Sequence, residues 1–500
     1  MPGGEKAVTV TKRVRQPELP FATAANPKGS AAGAATNVDA NLFASASPAV
    51  PKAKVNGRTA TPATMESVVE RLSEAFRKVA SNRGAPGPDR QPIEEVRRHL
   101  GDVVRDLTES LLKGTYKPGD IRRVWIPKAG GGKRGLGIPN VVDRMVQEAV
   151  RRVLEPLYEP TFHENSHGFR PRRSCHTAVA QARKYVKDGY EWVVDLDLAN
   201  FFDQVNHQRL MARLSQRVDD RRLLVLIGHM LKARVVLPDG VVVSTDEGVP
   251  QGGPLSPLLS NIVLDELDSE LARRGHRFVR YADDSNIYVR SERAGHRVMA
   301  SITAFIRRRL RLEVNAKKSA VARPEERHFL GFRLRLEAEK GTVEVLLSKR
   351  SKERVNAKVR ELTPRSWGGS LRSCIRQVNM YLTGWIGFFW ICTYKEHQTM
   401  VNLEAHIRRR LRAIQMKHWR CKRTIARRLI RLGMRPCMAW RSVYDGHKGM
   451  WALSLYPGNV GLQNAYFAEL GLLPLVDHWK ALKRSAKVAP ERKLAASSPG

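Results

Sequence analysis

The sequence has few acidic residues, and this shortage indicates what kind of partner the protein binds. Asp and Glu together number 49 against 87 Lys and Arg, so the formal net charge of the 500 residues is +38. Solubility requires far less charge than this. The excess predicts a polyanionic partner, either nucleic acid or an anionic membrane surface.

Cysteines are also scarce, and long apolar runs are absent. The five cysteines are scattered, odd in number and never spaced C-x-x-C. This pattern argues against a disulfide framework and a zinc site, and it favours a reducing cytoplasm. Without a run of 18 or more apolar residues, no membrane-spanning segment is predicted. The initial "MPGGEKAVTVTKR" lacks the apolar core of a secretion signal, so we expect a cytoplasmic protein. We expect no membrane partner, because the apolar face of the basic C-terminal segment is needed for folding.

The chain between its polar ends has the composition of a folded protein. Hydrophobic residues make up 42% of all 500 residues, and a chain of this length is enough for two or three domains. The spacing of Val68, Leu72 and Phe76 predicts one helix over "TMESVVERLSEAFRKVA". The segment "IRRVWIPKAGGGKRGLGIP" predicts two strands around a Gly-rich turn. Beyond Lys349 the pattern becomes mainly helical and very basic.

Two adjacent aspartates interrupt a strand-forming segment. In "VRYADDSNIYV", residues 279–289, Val, Tyr and Ile favour strands, while the "DDSN" in the middle favours a turn. The pattern predicts a hairpin with Asp283 and Asp284 at its tip. Asp197, at the end of the apolar strand "EWVVDLDL", is a third carboxylate that could join them. Two Mg²⁺ ions about 3.5–4 Å apart would stabilise the attacking hydroxyl and the leaving phosphate of a phosphoryl transfer. Each aspartate taken alone is better explained as a turn or cap residue.

The neighbouring segments favour the catalytic interpretation. In order and spacing they resemble the motifs of reverse transcriptases encoded by group II introns, over residues 65–475. The segments that carry the resemblance are "IPKAGGGKRGLGIPNVVDRMVQEAV", "ENSHGFRPRRSCHTAV", "DLANFFDQVNH", "EGVPQGGPLSPLLSNIVLDELD", "YADD", "LEVNAKKS" and "HFLGF". The resemblance implies an α+β right-hand polymerase with fingers and palm, a helical thumb or maturase domain, and a small C-terminal domain.

The resemblance also implies roles for individual residues. Asp197, Asp283 and Asp284 match the family's catalytic aspartates, which bind two Mg²⁺ ions for which Mn²⁺ can substitute. Lys318 matches a lysine that protonates the departing pyrophosphate, a general-acid role. Asp195 and Asp203 do not fall on the ligand position, and Asp203 is interpreted as structural. The residues matched to nucleotide binding are Lys128, Arg134, Leu198, Phe202 and Gln251.

Within that set the expected contacts differ. Lys128 and Arg134 match the cations that hold the triphosphate. The carbonyl of Leu198 lies beside the metal ligands, Phe202 matches the aromatic residue under the sugar, and Gln251 touches the nucleotide from the other side. Gly135 departs from the family, which commonly has Pro there, and this loosens the loop.

The basic second half resembles the family's thumb or maturase domain. Leu403, Ile407, Leu411, Ile414 and His418 are predicted to form one helical face that leaves the cationic side chains to solvent. Such a surface suits the phosphates of a structured RNA. The residues predicted to bind RNA are Arg408, Arg409, Arg410, Arg412, Lys417, Arg420, Lys422, Arg423, Arg427 and Arg428.

The predicted division of the chain follows these segments. It consists of a disordered leader (1–60), fingers and palm (61–345), thumb or maturase domain (346–430), C-terminal nucleic-acid-binding domain (431–482) and disordered basic tail (483–500). The end of the sequence resembles family members without a nuclease, because no H-N-H pattern and no Cys pairs follow.

The resemblance implies partners and leaves alternatives open. The expected partners are group II intron RNA, an RNA template with a DNA primer, target DNA and deoxynucleoside triphosphates. The expected function is RNA-directed DNA synthesis together with assistance to intron splicing and mobility. One alternative is a splicing factor with a vestigial polymerase site, and another is a related enzyme of phage defence or spacer acquisition. An RNA-dependent RNA polymerase is disfavoured because Phe202 would oppose a 2′-hydroxyl.

Overall fold

The structure is a computed structural model, and it describes residues 62–127, 132–244, 246–445 and 449–495. The described chain forms two compact units, one of residues 62–348 with 392–395 and the other of residues 349–391 with 396–495. The predicted leader lies outside the described residues, as do the last five residues of the predicted tail. The predicted domain boundaries stay predictions, and the one at residue 430 falls inside a helix.

The described part of the first unit contains ten α-helices. They are α1 (Met65–Glu70), α2 (Leu72–Ser81), α3 (Ile93–Arg98), α4 (Leu100–Leu112), α5 (Val141–Tyr158), α6 (Cys175–Lys187), α7 (His207–Leu214), α8 (Arg221–Leu231), α9 (Ser256–Arg273) and α10 (Glu292–Phe305). The predicted single helix over the first two is wrong, because the backbone turns at Arg71. The apolar spacing nevertheless predicts the core, since Val68, Leu72 and Phe76 are buried.

Three sheets accompany these helices. Their strands are β1 (Ile121–Pro127), β2 (Lys133–Ile138), β3 (Trp192–Leu196), β4 (Val235–Val236), β5 (Val242–Val243), β6 (Arg277–Tyr281), β7 (Asp284–Val289), β8 (Ala320–Ala322), β9 (Phe332–Glu337) and β10 (Thr342–Leu347). The orders are β2-β1-β4-β5, β6-β7-β3-β8 and β10-β9. The two strands predicted around the Gly-rich turn are therefore present as β1 and β2, which pair antiparallel.

The second sheet is the centre of the first unit. Its four strands are antiparallel, and β3 lies between β7 and β8. Val193, Val194 and Leu196 of β3 are buried, because α6, α9 and α10 pack against this sheet. Such burial holds the strand rigidly, so a side chain at its end has a fixed position.

The second unit is helical, as the sequence predicts. Its helices are α11 (Lys349–Leu362), α12 (Leu371–Phe389), α13 (His397–His418), α14 (Lys422–Arg431), α15 (Pro436–Tyr444), α16 (Met450–Leu453), α17 (Tyr456–Gly461), α18 (Asn464–Glu469) and α19 (Leu475–Ala495). Leu403, Ile407, Leu411 and Ile414 of α13 are buried, so the predicted apolar face is confirmed for these residues. Within the described ranges, no helix is both long and apolar enough to cross a membrane.

Candidate active site

The three predicted catalytic aspartates meet where β3 and the β6–β7 hairpin end. Leu196 pairs with Ser285, so the next residue, Asp197, adjoins Asp284. Tyr281 pairs with Asp284, which leaves Ala282 and Asp283 as a two-residue turn. The hairpin is therefore present, but its predicted tip is wrong. Asp284, Ser285 and Asn286 belong to β7 rather than to the turn, because strand pairing and burial override their turn propensity.

The backbone of this turn is strained and is held by a buried arginine. Ala282 has a left-handed φ of 57°, a conformation that costs an L-residue about 1–2 kcal/mol. Arg280 is fully buried, and its Nη1 donates to the Ala282 carbonyl at 3.0 Å. The same guanidinium donates from Nε to Oδ1 of Asp268 at 2.7 Å, and it also bonds Asn261 and Ser166. These bonds fix the turn relative to α9 and to the loop before α6.

Sequence analysis did not identify Arg280 or Asp268 as site residues. A signal was present, because Arg280 lies two residues before the turn, inside a strand whose neighbours are apolar. An arginine at such a position needs a buried carboxylate, and Asp268 in "LDELD" supplies it. Which carboxylate would pair with it could not be read from the sequence.

The loop before α6 also approaches the turn closely. A Cβ on Gly168 would overlap the Ala282 amide nitrogen, so only glycine fits there. The next residue, Phe169, is 53% exposed with a left-handed φ of 58°, and its ring centroid lies 6.3 Å from that of Tyr281. An exposed aromatic ring therefore borders the turn of Ala282 and Asp283, which we call the catalytic turn after the predicted role of Asp283. Phe169 was not among the predicted site residues.

Negative charges act on one another at this end of the sheet. Burial raises the pKa of Asp283, and the charge of Asp197 raises it further. Burial raises the pKa of Asp284 well above its usual range, and the charges of Asp283, Asp195 and Asp197 add to this effect. Arg134 and Lys318 oppose the shift of Asp283, so both cations lie within electrostatic reach of the turn. A cation at this position would relieve the repulsion.

Lys318 reaches the site through a segment bonded to the chain after β3. The Asn315 amide donates to the Asp197 carbonyl at 2.8 Å, and the Ala199 amide donates to the Glu313 carbonyl at 2.8 Å. This pairing carries the Lys318 ammonium to 3.3 Å from Oδ2 of Asp197. The side chain remains 46% exposed, so it keeps room to move.

Arg134 and Gln251 also meet, as expected if both contact one nucleotide. The Arg134 Nε donates to Oε1 of Gln251 at 3.0 Å. The Gly137 amide donates to the Gln251 carbonyl at 2.7 Å, which attaches the loop before α9 to β2. Gly252 has a φ of 124° and presses on Gly137, so a side chain there would separate the two. Lys128 lies outside the described residues.

The aromatic pair after β3 has one buried and one half-buried member. Phe201 is only 2% exposed, whereas Phe202 is half-buried, and their ring centroids are 5.2 Å apart. The Val249 amide donates to the Phe202 carbonyl at 2.6 Å, which fixes the backbone of this residue. Leu198 is buried and bridges to Val314.

Asp195 has a structural partner, in agreement with its exclusion from the ligand set. Arg327 donates to Oδ2 of Asp195 from Nε at 2.9 Å and from Nη2 at 2.7 Å. Asp195 lies two residues before Asp197 on β3, and Asn286 faces it. Arg327 therefore pairs with Asp195, the carboxylate nearest in sequence to Asp197.

The donor set suits Mg²⁺ by its chemistry. Asp197, Asp283 and Asp284 supply oxygen ligands, which Mg²⁺ prefers, and water and substrate phosphates usually complete its shell. Within the described ranges, no group of three or more His, Cys, Asp or Glu side chains is already gathered in metal-binding geometry. Asp197 is instead paired with Lys318. A bound ion would therefore have to compete with Lys318 for this carboxylate.

The residues predicted to bind RNA lie in the second unit and divide into two groups. Arg412 is only 6% exposed and donates to the Leu462 carbonyl at 3.0 Å, so its predicted exposure is wrong. Burial lowers the pKa of Arg412 to about 10. Arg408 pairs with Glu404, Arg409 lies 4.0 Å from the Trp451 ring centroid, and Arg410 donates to Thr363 at 2.9 Å. Arg412 is therefore buried and the other three arginines are half-buried, and all four help to pack α13 against its neighbours. The periodicity of the sequence did not reveal these contacts.

The other group is more accessible. Lys422 is half-buried, with its ammonium 5.7 Å from the Tyr444 ring centroid. The members that are exposed are Lys417, Arg420, Arg423, Arg427 and Arg428. These five residues lie at the end of α13, just after it, and on the exposed face of α14. They form the part of the predicted surface that a phosphate backbone can reach.

Comparison with protein families agrees with this arrangement. Residues 126–334 match the family model for reverse transcriptase (RNA-dependent DNA polymerase). This matched range contains Asp197, Asp283 and Asp284. Residues 352–432 match the model for the group II intron maturase-specific domain. The chain carries a reverse transcriptase domain followed by a group II intron maturase domain. The predicted α+β fold with fingers, palm and a helical second part is thereby confirmed.

The chain spans only part of the length of the curated relatives that it matches. Protein YkfC of Escherichia coli is 41% identical over 211 residues, which are 41% of this chain and 55% of that protein. Group II intron-encoded protein LtrA of Lactococcus lactis is 41% identical over 180 residues, 36% of this chain and 30% of that protein. Among solved structures, a partial Cas6-RT-Cas1–Cas2 complex gives a TM-score of 0.31 at 24% identity, covering 49% of this chain and 42% of that one. That likeness is too low to support an argument.

Proposed function

We propose that the reverse transcriptase domain is an active RNA-directed DNA polymerase and that the maturase domain binds a group II intron RNA to assist splicing and mobility. The observation that carries the proposal is the meeting of Asp197, Asp283 and Asp284 with Lys318 and Arg134 at one end of the central sheet. The substrates would be deoxynucleoside triphosphates on an RNA template with a DNA primer. Target DNA would supply that primer during target-primed reverse transcription.

The aspartates would hold two Mg²⁺ ions, for which Mn²⁺ would substitute. Bound there, Mg²⁺ would supply the positive charge that stabilises both the attacking and the leaving oxygen of the phosphoryl transfer. Burial raises the pKa of Asp283 and of Asp284, and repulsion among the aspartates raises it further. This supports the role, because a bound cation removes the repulsion.

The other residues would position the nucleotide. Arg134, held by Gln251, would bind the triphosphate through charge-assisted hydrogen bonds. Lys318 would donate a proton to the departing pyrophosphate, since its ammonium already lies beside Asp197. The half-buried ring of Phe202 would lie against the sugar and disfavour a 2′-hydroxyl.

The buried contacts that hold the turn of Ala282 and Asp283 favour an active polymerase over a splicing factor with a vestigial polymerase site. A splicing factor that no longer polymerises would not need the buried Arg280–Asp268 pair at the catalytic turn, since replacing such a pair with apolar residues is often neutral or stabilising. The strained Ala282 would likewise have no purpose. Both features are explained if the position of Asp283 matters.

Primer extension on an RNA template tests the proposal. Purified protein should extend an annealed DNA primer with deoxynucleotides in Mg²⁺ or Mn²⁺, lose the activity in EDTA, and regain it when Mg²⁺ is restored. Asp197→Asn should show almost no extension while melting at a temperature close to that of the wild type. Extension that persists in EDTA, or in a folded Asp197→Asn protein, would contradict the proposal.

A further inference from the structure

A recess of about 550 Å³ lies away from the catalytic turn. Four arginines line it, together with Tyr190, Tyr288 and residues near the start of α10. The arginines come from four places in the chain, namely the end of α9, the start of β6, the end of β7 and α10. They are Arg274, Arg277, Arg290 and Arg297. We call this feature the palm recess.

The palm recess and the catalytic turn occupy opposite ends of one hairpin. Arg277 pairs with Tyr288 at the recess, whereas Tyr281 pairs with Asp284 at the turn. The four residue-to-residue steps from Arg277 to Tyr281 correspond to roughly 13 Å at about 3.3 Å per residue. A ligand in the recess is therefore separate from the nucleotide site.

The charge of the palm recess is largely uncompensated. The carboxylate of Glu270 neutralises Arg274 at 2.7 Å, and Ser301 also accepts from Arg274 at 2.5 Å. In the part of the chain that the structure describes, no carboxylate forms an ion pair with Arg277, Arg290 or Arg297. The Tyr190 hydroxyl interacts with Arg277 and Arg290, and the charge of Asp188 acts on Arg277 from farther away. Like charges gathered in this way are costly unless an anion joins them.

The geometry favours phosphate groups over a nucleobase. Tyr288 is only 2% exposed, so its ring is not available for stacking. Arg290 lies 5.2 Å from the ring centroid of Tyr190 and so occupies a face of the second aromatic ring. Arg277, Arg290 and Arg297 are exposed, which suits a strand passing along the rim better than a small molecule enclosed by the pocket.

We infer that the palm recess binds the phosphate backbone of an RNA strand and is a second RNA-contact surface, separate from α13 and α14. The inference rests on the proposed function, because it assumes that the protein binds RNA. Contacts of this kind position an RNA without reading its sequence. The interaction should therefore depend strongly on salt and weakly on sequence.

Two triple variants test the inference. The first, Arg277→Gln with Arg290→Gln and Arg297→Gln, removes the uncompensated charges of the recess. The control, Arg77→Gln with Arg98→Gln and Arg308→Gln, removes three exposed arginines that do not line it. Affinity for a structured RNA of several hundred nucleotides is measured from about 50 to 300 mM salt, with a thermal melt of each protein. Extension of a short primed RNA oligonucleotide is measured in parallel.

The recess variant should bind the RNA about tenfold more weakly near 100 mM salt, and its slope of log affinity against log salt should be shallower by about 2, from three phosphate contacts. The control should change little, and both variants should extend the short primer like the wild type. A recess variant that binds like the control would overturn the inference while leaving the proposed function intact. Loss of binding to phosphatidylglycerol vesicles, with RNA binding unchanged, would also overturn it in favour of a membrane surface.

If the triple variant melts at a lower temperature than the wild type, the single variant Arg297→Gln is measured in its place. This exposed side chain lies on the surface of α10. A shallower slope for the folded single variant, by about 0.7, supports the inference, and an unchanged slope overturns it. If the wild-type protein fails both to extend a primer and to bind RNA, the proposed function fails instead.

Discussion

Phe201 and Phe202 are adjacent in sequence but occupy different environments, and each should respond differently to replacement. Phe201 is buried in the core, while Phe202 is half-buried in the segment that follows β3. The Phe202 carbonyl is bonded to Val249, so its backbone should not shift when the ring is removed. The pair therefore offers a matched test of whether one ring selects the sugar.

Phe202→Val should admit ribonucleotides and keep much of the deoxynucleotide activity. Relieving an overlap with the 2′-hydroxyl is comparable to relieving overpacking, about 1–3 kcal/mol, so sugar discrimination should fall roughly ten- to hundredfold. Phe201→Val should instead lower the melting temperature and reduce both activities together. Steady-state incorporation of one ribonucleotide and its deoxy counterpart measures the ratio. Unchanged discrimination in a folded, active Phe202→Val protein would rule out the gate.

Arg280 provides a second prediction at the residue scale. Arg280→Lys keeps the charge but loses the paired bonds to Asp268 and the bond to the Ala282 carbonyl. We expect the free energy of unfolding to fall by about 3 kcal/mol, since hydrogen bonds to charged groups contribute about 1.5–3 kcal/mol each. The rate of nucleotide addition by the folded fraction should also fall, because the turn that presents Asp283 is no longer held.

Denaturant unfolding and single-turnover extension measure these two effects. Arg273→Lys is the matched control, since Arg273 also pairs with a carboxylate of α9 but is 70% exposed. It should change neither quantity by much. If fully folded Arg280→Lys protein extends the primer at the wild-type rate, the Arg280–Asp268 pair stabilises the domain without positioning the turn.

Among the elements, the apolar and alternating patterns predict where strands and helices form but not which polar residues the core accepts. The hairpin of β6 and β7 follows from its flanking strand formers, yet Ser285 and Asn286 are buried in β7 despite their turn propensity. Periodicity likewise predicts the apolar face of α13 and misses that Arg412 is buried against the Leu462 carbonyl. Both errors arise because long-range contacts decide burial and are absent from a local pattern. Ser285 is buried because its backbone pairs with Leu196 of β3, and Arg412 is buried because the Leu462 carbonyl accepts its bond.

The exposed arginines near α14 should account for salt-dependent RNA binding by the second unit. Replacing Arg420, Arg423 and Arg427 with Gln should make the slope of log affinity against log salt shallower by about 2. The charge-preserving Lys variants of the same three positions should keep the slope. Arg412→Gln should lower the melting temperature without this change in slope, because its guanidinium is buried. An unchanged slope in the Gln variant would place these arginines outside the RNA contact.

At the scale of the whole molecule, the net charge of +38 is explained by three kinds of cation rather than one. Arg280 and Arg412 are buried and structural, Arg134 and Lys318 act on the catalytic turn, and exposed arginines remain for nucleic acid. Charge counting predicts the polyanionic partner but cannot assign an individual arginine to one of these groups. The position of Asp197 at the end of an apolar strand made it a candidate to join Asp283 and Asp284, but the resemblance to a known family was needed to choose it over Asp195 and Asp203.

The central claim is that Asp197, Asp283 and Asp284 support nucleotide addition, and one comparison at Asp283 tests it most directly. Asp283→Asn and Asp203→Asn each remove one carboxylate, the first in the catalytic turn and the second in the exposed segment six residues after Asp197. Single-turnover primer extension on an RNA template is measured for both in Mg²⁺, with a thermal melt. We predict that Asp283→Asn nearly abolishes extension while Asp203→Asn keeps most of it, with both proteins folded. Extension by folded Asp283→Asn at a rate near that of Asp203→Asn would contradict the account.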